Sequence, residues 1–214
     1  TEKGRSGRIY RLHYALDILK MGSVDHLITD VKVGESLVNF NLKPGYLVIG
    51  DRIYSTINGI EHCEKNGAEF ILRMRINSFT VKNEKGETFD FLETIKNNEN
   101  EDYADVRAFA TNSDGKIVPI RICAKKKDPE AIIRTQKRLN RKERKRQFRI
   151  SDEAKVFNEY IVVATNLNDG ITAEEILAAY RLRWQVEIYF KRLKSILGFG
   201  ELPKRRPNSV IAWL

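Results

Sequence analysis

The run Tyr46-Leu47-Val48-Ile49-Gly50 is apolar or aromatic throughout and then stops at Asp51-Arg52. A strand with no polar alternation cannot keep one face in water, so it is expected to be a central strand of a sheet covered on both sides. The residues that follow agree with that reading. Ser55 to Asn66 reads as a helix, with Ser55 able to cap its start and Gly67 where a left-handed residue closes its end. Glu69 to Met74 reads as the next strand. Strand, helix and strand in this order describe an α/β sheet with a helix laid on it. Such sheets gather their chemistry at the carboxyl ends of the strands, which makes Asp51 the first candidate site residue.

Upstream, Arg8 to Leu19 and Val24 to Val33 are rich in aromatic and β-branched types around Met21-Gly22-Ser23, the pattern of a hairpin. Glu35 to Phe40 suits a turn or two of helix before Pro44-Gly45. Downstream, from Arg75 to about Asn166, the pattern turns β-like and loop-rich. Strands are expected at Ser78 to Lys82, Thr88 to Phe91, Asp105 to Thr111 and Ile117 to Cys123, with turns at Lys85-Gly86 and Asp114-Gly115. Pro129 to Arg149 has helix-forming composition with Pro129 suited to a first turn, and strand character returns at Lys155 to Thr165.

Charge is concentrated in one place. The chain of 214 residues carries a formal charge of +9. Lys125 to Arg149 holds twelve Lys or Arg against Asp128, Glu130 and Glu143, and twelve minus three is that whole excess. The remainder is nearly neutral, so the chain is expected to meet a polyanion chiefly through this stretch, by phosphate neutralisation at Lys142, Arg144, Lys145 and Arg146. The bland reading is a solvated helix face. A second basic cluster is Lys204-Arg205-Arg206. No apolar stretch approaches the roughly 18 residues of a membrane span, and no signal peptide is read, so a cytoplasmic protein without a membrane partner is expected. Cys63 and Cys123 lack metal-ligand or framework spacing and are expected to be reduced, structural thiols.

The last element reads as one long helix. Thr172 and Glu175 form a capping box, and the pattern runs to about Leu197 before Gly198 and Gly200. Within it Tyr180, Arg183, Glu187 and Lys194 are spaced Y-x2-R-x3-E-x6-K. On one continuous helix they would share an arc about 60° wide and extend roughly 21 Å, long enough to follow several phosphates of a DNA strand. A carboxylate able to hold a divalent ion would stand among two cations and a phenol that grip phosphate oxygens. The competing reading is an ordinary salt-bridged surface.

This helix, preceded at long range by a strand ending in Asp51-Arg52-Ile53-Tyr54, resembles the DDE transposases of bacterial insertion sequences, in the YREK-signature group of insertion-sequence-four type. The resemblance covers essentially the whole chain. It implies an α/β fold: a ribonuclease H-like core, residues 1–74 and 167–214, interrupted at 75–166 by a β-rich, basic insertion between the last core strand and the Glu-bearing helix. By position it implies Asp51 and Glu187 as catalytic and metal-binding acids, with Tyr180, Arg183 and Lys194 on transposon-end phosphates. It further implies two Mg2+ or Mn2+ ions and double-stranded DNA, both transposon ends and target, as partner. A dimer in the synaptic complex and association with the nucleoid go with it. The family's first acid lies on a strand upstream of the hairpin, so it is expected before Thr1, and the fragment alone is expected to be inactive. Asp17 and Asp30, in the hairpin, are expected to be structural. Ile53 departs from the small residue more usual there.

Arg52 and Tyr54 are equally suited to phosphate binding and to bracing a metal site. Trp184 is expected in the core rather than stacked on a base. His13, His26 and His62 share no ligand spacing and are expected to be strand or surface residues. A ribonuclease H-like nuclease or resolvase and a transposon-derived DNA-binding protein without catalysis are the alternative functions.

Overall fold

A computed structural model describes residues 10–88, 90–97, 102–111 and 115–196. The expected turn at Asp114-Gly115 falls partly outside these, and Arg8, Ile9, Gly198, Gly200 and the Lys204-Arg205-Arg206 cluster fall wholly outside. The chain divides into two compact units, residues 1–41 with 181–214, and residues 42–180.

In the first unit, β1 (Tyr10–Asp17) and β2 (Gly22–Asp30) pair antiparallel, as the hairpin reading predicts. Asp17 Oδ1 accepts from the backbone N–H groups of Leu19 and Lys20, at 2.9 and 3.0 Å, and Asp30 Oδ1 accepts from Lys32 N at 2.7 Å. Both acids therefore serve turns. His13 is buried in β1 and held between Thr29 Oγ1, 2.9 Å, and Asn39 Nδ2, 3.4 Å. The short helix expected after Gly34 is a single 3-10 turn, Leu37–Asn39, capped by Ser36.

The second unit is built on one six-stranded sheet. Its strands are β3 (Leu47–Gly50), β4 (Glu69–Arg73), β5 (Thr80–Lys82), β6 (Ala104–Thr111), β7 (Ile117–Lys126) and β8 (Tyr160–Thr165), in spatial order β3-β4-β8-β7-β6-β5. Only β3 and β4 are parallel. The crossover they need is α1 (Ile57–Lys65). Thr56, one residue beyond the expected Ser55, caps α1 by accepting from Gly59 N at 3.2 Å, and Gly67 takes the left-handed conformation at φ 64°. Phe70, Ile71, Leu72, Ile122, Val162 and Val163 are fully enclosed, so the core lies along β4, β8 and β7.

Three expectations need correction. β3 is an edge strand, bonded to β4 alone among the described residues, and Leu47 is exposed. Its apolar run fits a strand covered on one side more than its position in the sheet requires. Thr88 contributes only a bridge to Lys82, and helix α2 (Phe91–Asn97) follows where the strand was expected to continue. Asp90 starts α2 by accepting from Leu92 N at 2.8 Å and Glu93 N at 3.3 Å. Finally, the expected strand from Lys155 begins instead as α4 (Asp152–Phe157), after α3 (Pro129–Arg146). Ser151 caps α4 and accepts from Ala154 N at 3.2 Å. The β-rich segment 75–166 supplies four of the six strands, and they continue the ladder of β3 and β4 rather than forming a sheet of their own.

Cys63 and Cys123 are both free and buried, and burial raises each thiol to about 12, as befits inert core sulfurs. Among the described residues no helix is long and apolar enough to cross a membrane.

Candidate nucleic-acid and catalytic site

Asp51 follows the last residue of β3, and the chain turns there because Tyr54 N donates to Asp51 O at 2.9 Å. Gly50 precedes it where a Cβ would lie 2.6 Å from Leu72 Cδ2 and 3.2 Å from Tyr54 Cβ, so only glycine lets the strand end this close to β4. The Asp51 side chain is exposed. The neighbouring Arg52 guanidinium turns to Asn158 Oδ1, 3.1 Å away. Burial first, and then the repulsion of Arg73, lower Arg52 to about 10.

The long helix expected from Thr172 is two helices, α5 (Ala173–Arg181) and α6 (Trp184–Ile196). The capping box is present: Glu175 N donates to Thr172 Oγ1 at 3.2 Å and Thr172 N to Glu175 Oε2 at 2.8 Å. Those hydrogen bonds hold the Glu175 carboxyl below its ordinary range. The break comes at Leu182-Arg183, where Gln185 N and Val186 N reach back three residues to Leu182 O and Arg183 O, at 2.9 and 3.0 Å. A continuous α-helix would bond four residues back. Tyr180 and the later three residues therefore do not lie on one continuous helix. Tyr180 ends the second unit, while Arg183, Glu187 and Lys194 belong to the first.

The spacing within each part survives. Arg183 Nη2 lies 2.8 Å from Glu187 Oε1, and Glu187 lines one open groove on α6 together with Phe190, Lys191 and Lys194. Glu187 and Lys194 are both exposed. Tyr180 differs from them: at 4% exposure it packs among Ile71, Val163, Ile176 and Leu177, with the Arg73 guanidinium 5.9 Å from its ring centroid. Trp184, expected in the core, is 60% exposed, because it opens α6, a helix with no buried residue.

Lys142, Arg144, Lys145 and Arg146 stand exposed along the last turns of α3, where cations also complement the helix C-terminus. Sequence reasoning did not join Arg73, at the end of β4, to Lys127 of the basic stretch, since nothing local links them.

Asp51 and Glu187 are exposed oxygen donors of the kind that suits Mg2+ or Mn2+. Among the described residues no three His, Cys, Asp or Glu side chains gather into a metal-binding group. Each carboxylate taken by itself has the donor chemistry for such an ion, Asp51 in the second unit and Glu187 in the first.

The second unit thus joins a mixed α/β sheet with an acid at a strand tip to a helix ending in exposed cations, and the first unit carries a paired Glu on an exposed helix. The chain belongs to the transposase DDE domain family, which it matches over residues 18–214. It is 26% identical over 211 residues to the transposase for insertion sequence element IS421 of Escherichia coli, covering 96% of this chain and 57% of that protein. It is 27% identical over 171 residues to the transposase for IS231B of Bacillus thuringiensis subsp. berliner, covering 72% of this chain and 36% of that one. For the transposase of IS1151 from Clostridium perfringens the identity is 26% over 184 residues, covering 78% and 39%. The chain thus spans between about a third and somewhat over half of these relatives. No solved structure matches it.

Proposed function

We propose that this chain is part of the catalytic region of an insertion-sequence DNA transposase, with a ribonuclease H-like core elaborated by residues 75–166. Asp51 and Glu187 are its acids; Arg183 and Lys194 meet transposon-end phosphates; and Lys142, Arg144, Lys145 and Arg146 hold DNA by charge. The observation that supports this most is the α6 groove, where an exposed carboxylate is oriented by Arg183 at 2.8 Å and shares its groove with Lys194. A structural salt bridge would not need Lys194 beside it. Tyr180, being buried, acts through Arg73 rather than by touching DNA itself.

Divalent ions held by Asp51 and Glu187 would polarise the phosphoryl group and activate the attacking oxygen. The two-ion arrangement of the family signature requires a third acid, which these two do not supply. The rest of the work belongs to this chain's side chains. Arg183 keeps Glu187 oriented, and Lys194 neutralises a neighbouring phosphate. Cutting and joining paired transposon ends calls for two copies of the protein on double-stranded DNA, at the nucleoid.

The test is Mg2+- or Mn2+-dependent cleavage of transposon-end DNA by the longer protein that contains this chain. Asp51→Asn and Glu187→Gln are expected to lower cleavage by roughly a thousandfold or more, about 4 kcal/mol of transition-state stabilisation, and to leave end binding in place. Cleavage unchanged in Glu187→Gln would leave a DNA-binding protein without catalysis by this residue.

A further inference from the structure

Four basic side chains of the second unit converge at one end of its sheet. Arg52 follows the carboxyl end of β3, and Arg73 ends β4, which runs parallel to it. β8 runs antiparallel to β4 and starts at this same end, and β7, antiparallel to β8, finishes there. Lys127 N prolongs that ladder by donating to Glu159 O at 2.9 Å. α3 then leaves from Pro129 and brings buried Thr135 to Lys127, with Arg138, exposed one turn further on, near enough to repel Arg52 and Lys127.

The partners these cations have are neutral. Arg52 Nη1 donates to Asn158 Oδ1 at 3.1 Å, and Lys127 Nζ donates to the backbone oxygen of the same Asn158 and to Thr135 Oγ1, the latter at 3.4 Å. Arg73 lies over the ring of Tyr180, and its Nε is buried without a hydrogen-bond partner. None of the four is paired with a carboxylate among the described residues. Burial and then the repulsion of Arg73, Arg52 and Arg138 push Lys127 down to about 8, with Glu159 the acid that opposes this. Gathering three half-buried cations whose nearby acids, Asp51 and Glu159, form no ion pair with them costs stability, and a fold tolerates it where an anion completes the group.

We infer that Arg52, Arg73, Lys127 and Arg138 form a phosphate-binding site built around Asn158, separate from the exposed basic turns of α3. Planar guanidinium groups with spare N–H donors and a mobile ammonium suit the oxygens of a phosphate. The ligand chemistry is a phosphate group, either inorganic or a phosphodiester of DNA. Its assignment to DNA rests on the transposase reading; the anion site does not. Arg52 points toward Asn158 rather than pairing with Asp51, which leaves the neighbouring carboxylate free for a different task.

The experiment follows the Lys127 ammonium of the whole chain by NMR through a pH titration, without and with millimolar inorganic phosphate. It is paired with binding of a short labelled DNA duplex to the unmodified chain, Lys127→Met and Lys127→Arg. Phosphate is expected to raise the Lys127 midpoint from about 8 toward its ordinary value. Lys127→Met is expected to weaken duplex binding about tenfold and to lower the salt slope by about one, with Lys127→Arg restoring both. Removing charge at Lys145 and Arg146 is expected to weaken duplex binding and leave the phosphate response of Lys127 intact. A Lys127 midpoint that phosphate does not move would overturn the site. A midpoint moved by phosphate but not by duplex would keep the anion site and remove DNA as its ligand, whatever the cleavage assay gives.

Discussion

Replacing Arg121 by methionine removes the most densely bonded side chain in the second unit. Arg121 Nε donates to Asp105 Oδ1 at 3.2 Å and Nη2 to Asp105 Oδ2, while Nη1 donates to the backbone oxygens of Leu167 and Ile171, at 3.2 and 3.1 Å, and of Asn168. Its side chain is 9% exposed and that of Asp105 is 36% exposed. Breaking a buried ion pair from one side costs about 3–5 kcal/mol. The Asp105 carboxylate can recover some water, which favours the low end, but three carbonyls also lose a donor at about 1 kcal/mol each where water cannot replace it. The expected loss is therefore roughly 4 kcal/mol, or about 10 °C in melting temperature for a unit of this size. Urea unfolding followed by far-ultraviolet circular dichroism, fitted with the slope held common, measures it. A further Asp105→Asn change should recover roughly 1–3 kcal/mol, since the acid is then no longer left unpaired. A loss below about 1 kcal/mol in Arg121→Met would show that the loop 166–172, and with it the start of α5, does not depend on this guanidinium.

The other predictions concern single features. Thr172→Ala is expected to cost about 1 kcal/mol by removing one side of the capping box. Because Thr172 holds Glu175 below the usual carboxylate range, the part of that stability due to Glu175 is present above the ordinary glutamate value and lost as pH falls through the lowered one. Gly50→Ala is expected to cost about 1–3 kcal/mol in the same unfolding assay, since Leu72 is fully enclosed and cannot move its methyl out of the 2.6 Å contact. Lys127, lowered to about 8, opposes folding while charged. The unfolded chain binds more protons between about pH 8 and 10.5, so stability should rise across that window and the rise should flatten in Lys127→Met, by no more than about 1 kcal/mol after solvent screening. Cys63 and Cys123 should react with a thiol reagent only under denaturing conditions, and fast reaction in buffer would contradict their burial.

What the sequence disclosed depends on whether a local cause was sufficient. The hairpin, α1 with its Gly67 stop, and the Thr172–Glu175 cap were legible because turn and cap residues act within a few positions. α2 and α4 were hidden by aromatic and β-branched residues in Phe91–Asn97 and Lys155–Phe157, although Asp90 with Glu93 and Ser151 with Glu153 carried the starting signals. The edge position of β3 was not legible, because pairing partners are set by the whole sheet. At the candidate site, Asp51, Glu187 and Lys194 were proposed from position and spacing, and all three are exposed. The burial of Tyr180 and the break at Leu182-Arg183 were not, since helical periodicity continues through the break while the backbone does not. The Arg73–Lys127 group was invisible for a different reason: its members are far apart in sequence and meet only through the register of β4, β8 and β7.

The placement of β8 next to β4 also limits what can be removed. If residues 75–166 were excised as a cassette, β4 would keep β3 alone, and a lone pair of parallel strands does not stand in water. The segment is therefore structural framework for the sheet. A relative with a shorter version would still have to provide a strand in the position of β8, so length variation in this family is expected to fall beyond β8, toward the β5 edge of the sheet.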